Sequence, residues 1–295
     1  RLDRMGDRVL AAASLEANPD ALHYLPFGDT LWQDIAVSPQ ARDIRALGCD
    51  SSGLYAGDGP DVLVTPAGST SADTESVFSD GTTTTAVHAA GEFVFLGTMT
   101  AAYRVPAAHI GSATEIDPQQ ISDPDSSTGF HVTSFAVTET VVYVGAIPEI
   151  KNRQDGGLYA WDPDPEAKMP WQTVRATVAV NDLLVASGTV FVATAAGLHR
   201  LANGTVLEPV AGLSHPETGA QPVVHALFAD NGVVYAATSH GLWFSPDGGT
   251  AWRLLEPGAG LPSELASTTI ASVTALGDRV YLGVDAYGVL ELRWE

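Results

Sequence analysis

Apolar and polar residues alternate along most of this chain in short bursts separated by Gly, Asp, Asn and Ser. Two-residue alternation puts successive side chains on opposite faces of an extended strand, so the pattern predicts β-strands joined by tight turns. One phrase recurs, an aromatic flanked by apolar residues and closed by a small residue. It reads GLYAG around Tyr55, FVFLG around Phe95, VVYVG around Tyr143, TVFVA around Phe191, VVYAA around Tyr235 and RVYLG around Tyr281. Successive aromatics lie 40, 48, 48, 44 and 46 residues apart. A helical period is confined to Asp7–Ala17, where Val9, Leu10, Ala13 and Leu15 fit either a short amphipathic turn or an extended arm.

A second phrase precedes each copy, beginning at Ile44, Val87, Val132, Val180, Val224 and Val273, with turns such as Asp230-Asn231-Gly232 between the two. Third strands follow as GGLYAWD, AGLHRLA, HGLWFSP and YGVLELRW, and fourth strands as ESVFS, ATEID, WQTVRA, TVLEP and AWRLLEP. Four strands recurring at this period are the signature of propeller blades. The expectation is therefore an all-β, six-bladed β-propeller with four-stranded antiparallel blades. The sixth copy reaches Glu295 before a fourth strand, so residues 30–38, which include Trp32, are expected to supply it and close the ring. That assignment makes residues 1–29 an N-terminal arm and residues 30–295 one domain.

Charge narrows the partners. There are 35 acidic and 14 basic residues, a formal net charge of −21, and Lys151 and Lys168 are the only lysines. Such a surface argues against nucleic acid and anionic membranes, whose binding requires Lys and Arg to neutralise phosphates. No apolar run approaches the roughly 18 residues of a membrane span. Acidity with scarce lysine points to a salt-adapted, halophilic protein, because concentrated salt screens self-repulsion. The compartment stays open: the chain begins at Arg1, so a soluble cytoplasmic protein and an exported one with its leader removed are both compatible. Cys49 is the sole cysteine, which excludes an internal disulfide and multi-cysteine metal sites. Asn203-Gly204 reads as a hairpin turn.

In the fifth copy, Val233 to Trp252 spells VVYAATSHGLWFSPDGGTAW. It resembles the Asp-box (BNR) repeat of sialidases, sortilin-type receptors and photosystem-assembly-factor-like propellers. Ser245, Asp247, Gly249 and Trp252 match, whereas Ala251 departs from the pattern. The resemblance implies a structural turn: an Asp accepting backbone N–H groups, a Gly at positive φ and a Trp packed on the blade. Sialidase chemistry would require an arginine triad, but Tyr103-Arg104-Val105-Pro106, the nearest spelling, falls on a third strand. A lactonase-like group of six-bladed propellers is similar in size and shares Ser-Pro-Asp-Gly, but its N-terminal Glu-Gly-Pro ligand motif is absent.

Aligning the inner strands places Arg45, His88, Thr133, Asn181, His225 and Thr274 at equivalent positions around the axis, as channel-lining ligand candidates. His88 and His225 are the candidate metal ligands, since neutral imidazole binds divalent cations. No other cofactor is expected. Asp123-Pro124-Asp125 and Asp162 to Glu166 are acidic loops. No HExxH, GxSxG, GxxxxGK or GxGxxG occurs, so no catalytic residue is assigned. The leading expectation is a non-enzymatic recognition or scaffold module that binds a protein partner, with an accessory subunit of a larger complex as one form of it, through loops such as Pro106–Gly129 and Ile147–Gly156. The alternatives are a glycan-binding or glycan-processing propeller, for which Trp161, Trp171 and Trp243 would have to line a pocket, and a lactonase-like metal-dependent hydrolase.

Overall fold

The computed structural model describes residues 2–15, 18–38, 44–78, 82–107, 119–120, 130–148, 157–163, 171–175, 178–214, 219–255, 268–284 and 287–293. These residues form strands and turns, without an α-helix. Blade 1 contains β1 (Leu2–Met5), β2 (Arg8–Leu15), β3 (Asn18–Pro26) and β4 (Gln33–Ser38). Blade 2 contains β5 (Ile44–Cys49), β6 (Gly53–Asp58), β7 (Asp61–Pro66) and β8 (Ser71–Ser76). In blade 3 the strands are β9 (Thr84–Ala90), β10 (Phe93–Thr98), β11 (Ala102–Pro106) and β12 (Gln119–Gln120). Blade 4 has β13 (Phe130–Val137), β14 (Val142–Pro148), β15 (Gly157–Trp161) and β16 (Trp171–Arg175). Blade 5 has β17 (Val180–Ala186), β18 (Thr189–Thr194), β19 (Gly197–Ala202) and β20 (Val206–Pro209). Blade 6 has β21 (Val224–Asp230), β22 (Val233–Thr238), β23 (Gly241–Ser245) and β24 (Arg253–Leu254), and blade 7 has β25 (Ile270–Leu276), β26 (Arg279–Val284) and β27 (Gly288–Arg293). Each blade is an antiparallel meander, and β4 also pairs in parallel with β8, joining the outer edges of blades 1 and 2.

The first strands β1, β5, β9, β13, β17, β21 and β25 pack side by side in cyclic order, with β25 returning to β1. The described residues therefore form seven blades, one more than the six expected. The repeat was recognised by its aromatic, and blade 1 has none at that place. Leu10 pairs with Asp3 as Phe95 pairs with His88, so Leu10 is the equivalent residue. It lies 45 residues before Tyr55, within the period of the other copies. Arg8–Leu15 is accordingly a strand, not a helical turn, and Leu2–Met5, Arg8–Leu15 and Asn18–Pro26 belong to the ring as strands of blade 1, not as an arm. Nor does the 30–38 segment complete the last blade. Gln33–Ser38 is the outer strand of blade 1, paired to β3 and β8, while β27 pairs among the described residues with β26 alone.

Seven buried clusters, one at each junction between adjacent blades, hold the ring together. The recurring aromatic enters these junctions. Phe95 meets Phe135 of the next blade with ring centroids 5.9 Å apart, and Phe191 meets Trp252 edge-on at 6.2 Å. Burying one such ring contributes about 1.5–3 kcal/mol. The small residue closing the phrase is required by the same contact. A Cβ on Gly97 would lie 2.4 Å from Cγ1 of Val132, and one on Gly145 would lie 2.5 Å from Cγ1 of Val180. At the last junction Val9 and Leu25 of blade 1 pack on Leu276 and Tyr281 of blade 7.

A candidate site in the central channel

Each innermost strand from β5 onward carries a bulge near its start, which leaves one residue out of the ladder: Arg45, Thr85, Thr133, Asn181, His225 and Ala271. Three of these residues stitch neighbouring blades together. Thr85 Oγ1 donates to the Val132 carbonyl at 2.7 Å, Thr133 Oγ1 to the Val180 carbonyl at 2.7 Å, and Asn181 Nδ2 to the Val224 carbonyl at 2.8 Å.

The bulges also reset the alignment of the expected axial residues. Arg45, Thr133, Asn181 and His225 are equivalent, but His88 and Thr274 lie three positions past their own bulges, Thr85 and Ala271. Of the six residues, His88 and Thr133 line the channel cavity; Arg45, Asn181, His225 and Thr274 do not. Arg45 is exposed and Thr274 is fully buried. The structure thus does not bring His88 and His225 to one level of the axis. Among the described residues, no group of three His, Cys, Asp or Glu side chains could hold a metal ion.

The cavity itself measures about 260 Å³ and is lined by all seven innermost strands. Its wall is divided. Leu184, Phe135, Leu227 and Phe228 make one part apolar, and Asp3, Cys49 and His88, from three consecutive blades, make another part polar. Asp3 and His88 occupy the same level, each opposite the residue at the aromatic place, Leu10 and Phe95. Gly48 of blade 2 stands at that level between them, opposite Tyr55. A Cβ there would lie 2.7 Å from the Val87 carbonyl oxygen, so the missing side chain lets β5 and β9 approach closely.

Deep placement sets the protonation of these groups. Burial raises the Asp3 carboxyl to about 6, partly offset by the Arg4 N–H that it accepts at 2.7 Å. Burial lowers His88 to about 4, with Asp50 opposing the shift, so its imidazole is neutral near pH 7. The Cys49 thiol is pushed up by burial and by Asp3, and it donates to the Arg4 carbonyl. It is not a poised nucleophile. Asp182, across the cavity, accepts the Leu183 N–H and, from the next blade, the Leu227 N–H, each at 2.8 Å. Sequence reasoning missed Asp3 because β1 was read as part of an arm, and it missed Asp182 because its neighbour in the phrase, the amide Asn181, was taken as the axial residue.

The turn after β23 is built by the residues singled out in the sequence. Asp247 Oδ1 accepts the Ser245 hydroxyl at 2.6 Å and the Thr250 and Ala251 N–H groups at 3.1 and 2.9 Å. Those bonds hold its carboxyl below the ordinary carboxylate range, the Ala251 N–H contributing most. Trp252 Nε1 donates to the Gly249 carbonyl at 3.1 Å. Gly249 has φ of 100°, and a Cβ there would meet Cζ of Phe191 at 2.1 Å. The turn is therefore a wedge between blades 5 and 6, away from the channel.

Trp161 and Trp243 are buried within their blades and Trp171, half-buried, stacks on Tyr159 at 5.2 Å; none of the three lines the channel cavity. Arg104 is sandwiched between Phe93 and Trp161, at 4.9 and 4.8 Å from their ring centroids, and desolvation lowers its pKa. Asp123–Asp125, residues 164–166 of the second acidic loop, and most of the expected contact loops Pro106–Gly129 and Ile147–Gly156 lie outside the described residues.

No protein-family model matches this sequence, and no curated protein matches it. Solved structures do. PorZ, a surface component of the type-IX secretion system of Porphyromonas gingivalis, is similar over 99% of this chain and 46% of its own, with a TM-score of 0.71 at 13% identity. YCF48 bound to D1 peptide is similar over 98% of this chain and 89% of its own, with a TM-score of 0.64 at 13% identity. The WD40 β-propeller domain of Doa1 is similar over 99% and 90%, with a TM-score of 0.63 at 12% identity. The chain has a β-propeller fold. It spans less than half of PorZ and 40% of the extracellular domain of BT4673 from B. thetaiotaomicron, another similar structure. At these identities the likeness speaks for the propeller fold alone. Among the described residues of this propeller, no helix is long and apolar enough to cross a membrane.

Proposed function

We propose that this propeller is a non-enzymatic recognition module that holds a protein partner against one face of the ring, as a subunit of a larger complex. The observation that carries this reading is the make-up of the face formed by the hairpins between first and second strands. Five of those seven hairpins bear Asp7, Asp50, Glu92, Glu139 or Asp278, and Asp230 immediately precedes a sixth. Asp7, Glu92, Glu139 and Asp278 are exposed. Beside them Phe27, 53% exposed, lies over Gly277, and Leu31 in the same connection between β3 and β4 is 76% exposed. Acidic positions beside exposed apolar residues suit a partner segment that is basic and carries apolar anchors, since complementary potential steers association and aromatic or aliphatic anchors supply affinity. YCF48, one of the similar propellers, is bound to a D1 peptide.

The Asp247 turn is read as an Asp-box with a structural role, and the net charge of −21 as an adaptation to concentrated salt. The test is affinity purification from the native source of the wild-type chain and of a variant with Asp7, Glu92, Glu139 and Asp278 replaced by Lys. A stoichiometric partner that the wild type retains and the folded variant loses supports the reading. A partner retained by both, or none at any salt concentration, overturns it.

A further inference from the structure

We propose that the central channel is a binding site for a small organic cation: a primary ammonium on an aromatic or branched aliphatic body, donating N–H groups to the Asp3 carboxylate and the His88 imidazole. This site is separate from the hairpin face, and neither reading depends on the other.

Size permits it. An engineered apolar cavity of about 150 Å³ takes up benzene, and the channel cavity measures about 260 Å³. Sign follows from the wall, where Asp3 and Asp182 supply two carboxylates while Lys and Arg are absent from the lining residues. Arg4, the neighbour of Asp3, is turned elsewhere: its Nη1 bonds Asp230 Oδ1 at 2.6 Å and its guanidinium lies 5.7 Å from the Phe228 ring centroid. Asp182 accepts one backbone N–H on each carboxylate oxygen, whereas the backbone bond to Asp3 falls on Oδ1 alone, so Asp3 is the carboxylate more open to a ligand.

His88 supplies the second polar contact. It is among the residues that line the cavity, and it is half-buried there. Held neutral, the imidazole offers one acceptor nitrogen. An ammonium has three donors and can serve both groups at their common level, while its apolar body lies against Leu184, Leu227 and Phe135. An anion would meet two carboxylates, and a neutral alcohol would add no positive charge at Asp3 beyond that of Arg4.

Titration calorimetry of the full chain near pH 7.5 and about 0.15 M salt, with benzylamine, benzyl alcohol and benzoate, tests this directly. Benzylamine should bind, benzyl alcohol at least about tenfold more weakly, and benzoate without detectable heat. Asp3→Asn should weaken benzylamine about tenfold or more. Equal affinity for benzylamine and benzyl alcohol, no heat with benzylamine at about 10 mM, or unchanged affinity in Asp3→Asn would each overturn the proposal. Should Asp3→Asn not fold, the three-ligand comparison on the wild type decides alone.

Discussion

Arg4 reaches past the seventh blade to the sixth, where its Nη1 lies 2.6 Å from Oδ1 of Asp230, whose side chain is 10% exposed. The same nitrogen lies 3.4 Å from the Ala275 carbonyl of blade 7. One side chain therefore ties three blades across the point where the beginning and the end of the chain meet. Arg4→Met strands a nearly buried carboxylate, so it should destabilise by about 1–3 kcal/mol. Denaturant unfolding of Arg4→Met, Asp230→Asn and the double variant should reveal positive coupling; strict additivity would show the pair to be idle. Deleting residues 1–38 removes one side of two apolar junctions, and thermal unfolding of that truncation should show no cooperative transition.

Gly249→Ala is expected to cost about 2–4 kcal/mol, because the new Cβ would overlap Phe191 and occupy a left-handed backbone. By contrast Gly219→Ala, also at positive φ but with open space at its Cβ, carries the backbone strain without the clash. Melting temperatures of the two variants separate packing from backbone strain. A loss at Gly249 no larger than that at Gly219 would refute the wedge.

Thr133→Val keeps the shape of the side chain but leaves the Val180 carbonyl short of a donor. A loss of about 1–2 kcal/mol is expected. Thr100→Val, at a turn position whose hydroxyl lies 3.5 Å from that of Thr98, should cost clearly less. If chemical denaturation finds the two equal, the stitch between blades 4 and 5 contributes nothing of its own.

His88 and Asp3 give opposite acid responses. The folded pKa of His88, about 4, lies below its ordinary 6.5, so its contribution is complete above 6.5 and declines as pH falls from 6.5 towards 4. The folded pKa of Asp3, about 6, lies above its ordinary 3.8, so its contribution is complete below 3.8 and is lost as pH rises through 6. Relative to wild type, His88→Gln should therefore gain stability as pH falls through this window, and Asp3→Asn should gain as pH rises. Melting temperatures at pH 4, 5, 6 and 7.5 provide the check, and parallel profiles for the two variants would contradict it.

With a net charge of −21, the melting temperature should rise by several degrees between about 0.1 and 2 M sodium chloride as repulsion is screened. Potassium chloride should act alike. A flat response in differential scanning calorimetry would remove the argument for salt adaptation.

Much of the ring was legible because its repeat is enforced by contact. An aromatic must fill each junction and a small residue must follow where the next blade's inner strand presses in, as at Phe95 and Gly97. The Asp247 turn was legible for a similar reason, since its bonds are made within seven residues. Blade 1 was not, because Leu10 fills its junction without an aromatic ring. The axial residues were misaligned in two blades because a bulge adds a residue without altering the apolar alternation after it.

Local chemistry in the chain thus determined strands, turns, period and charge, each of which depends on neighbours a few residues apart. Only the folded ring decided how many blades there are, where the two ends meet, and which polar groups share the axis. These depend on bulge register and on junctions between segments hundreds of residues apart, as when Asp230 receives Arg4. A linear alternation of apolar and polar positions carries no record of either.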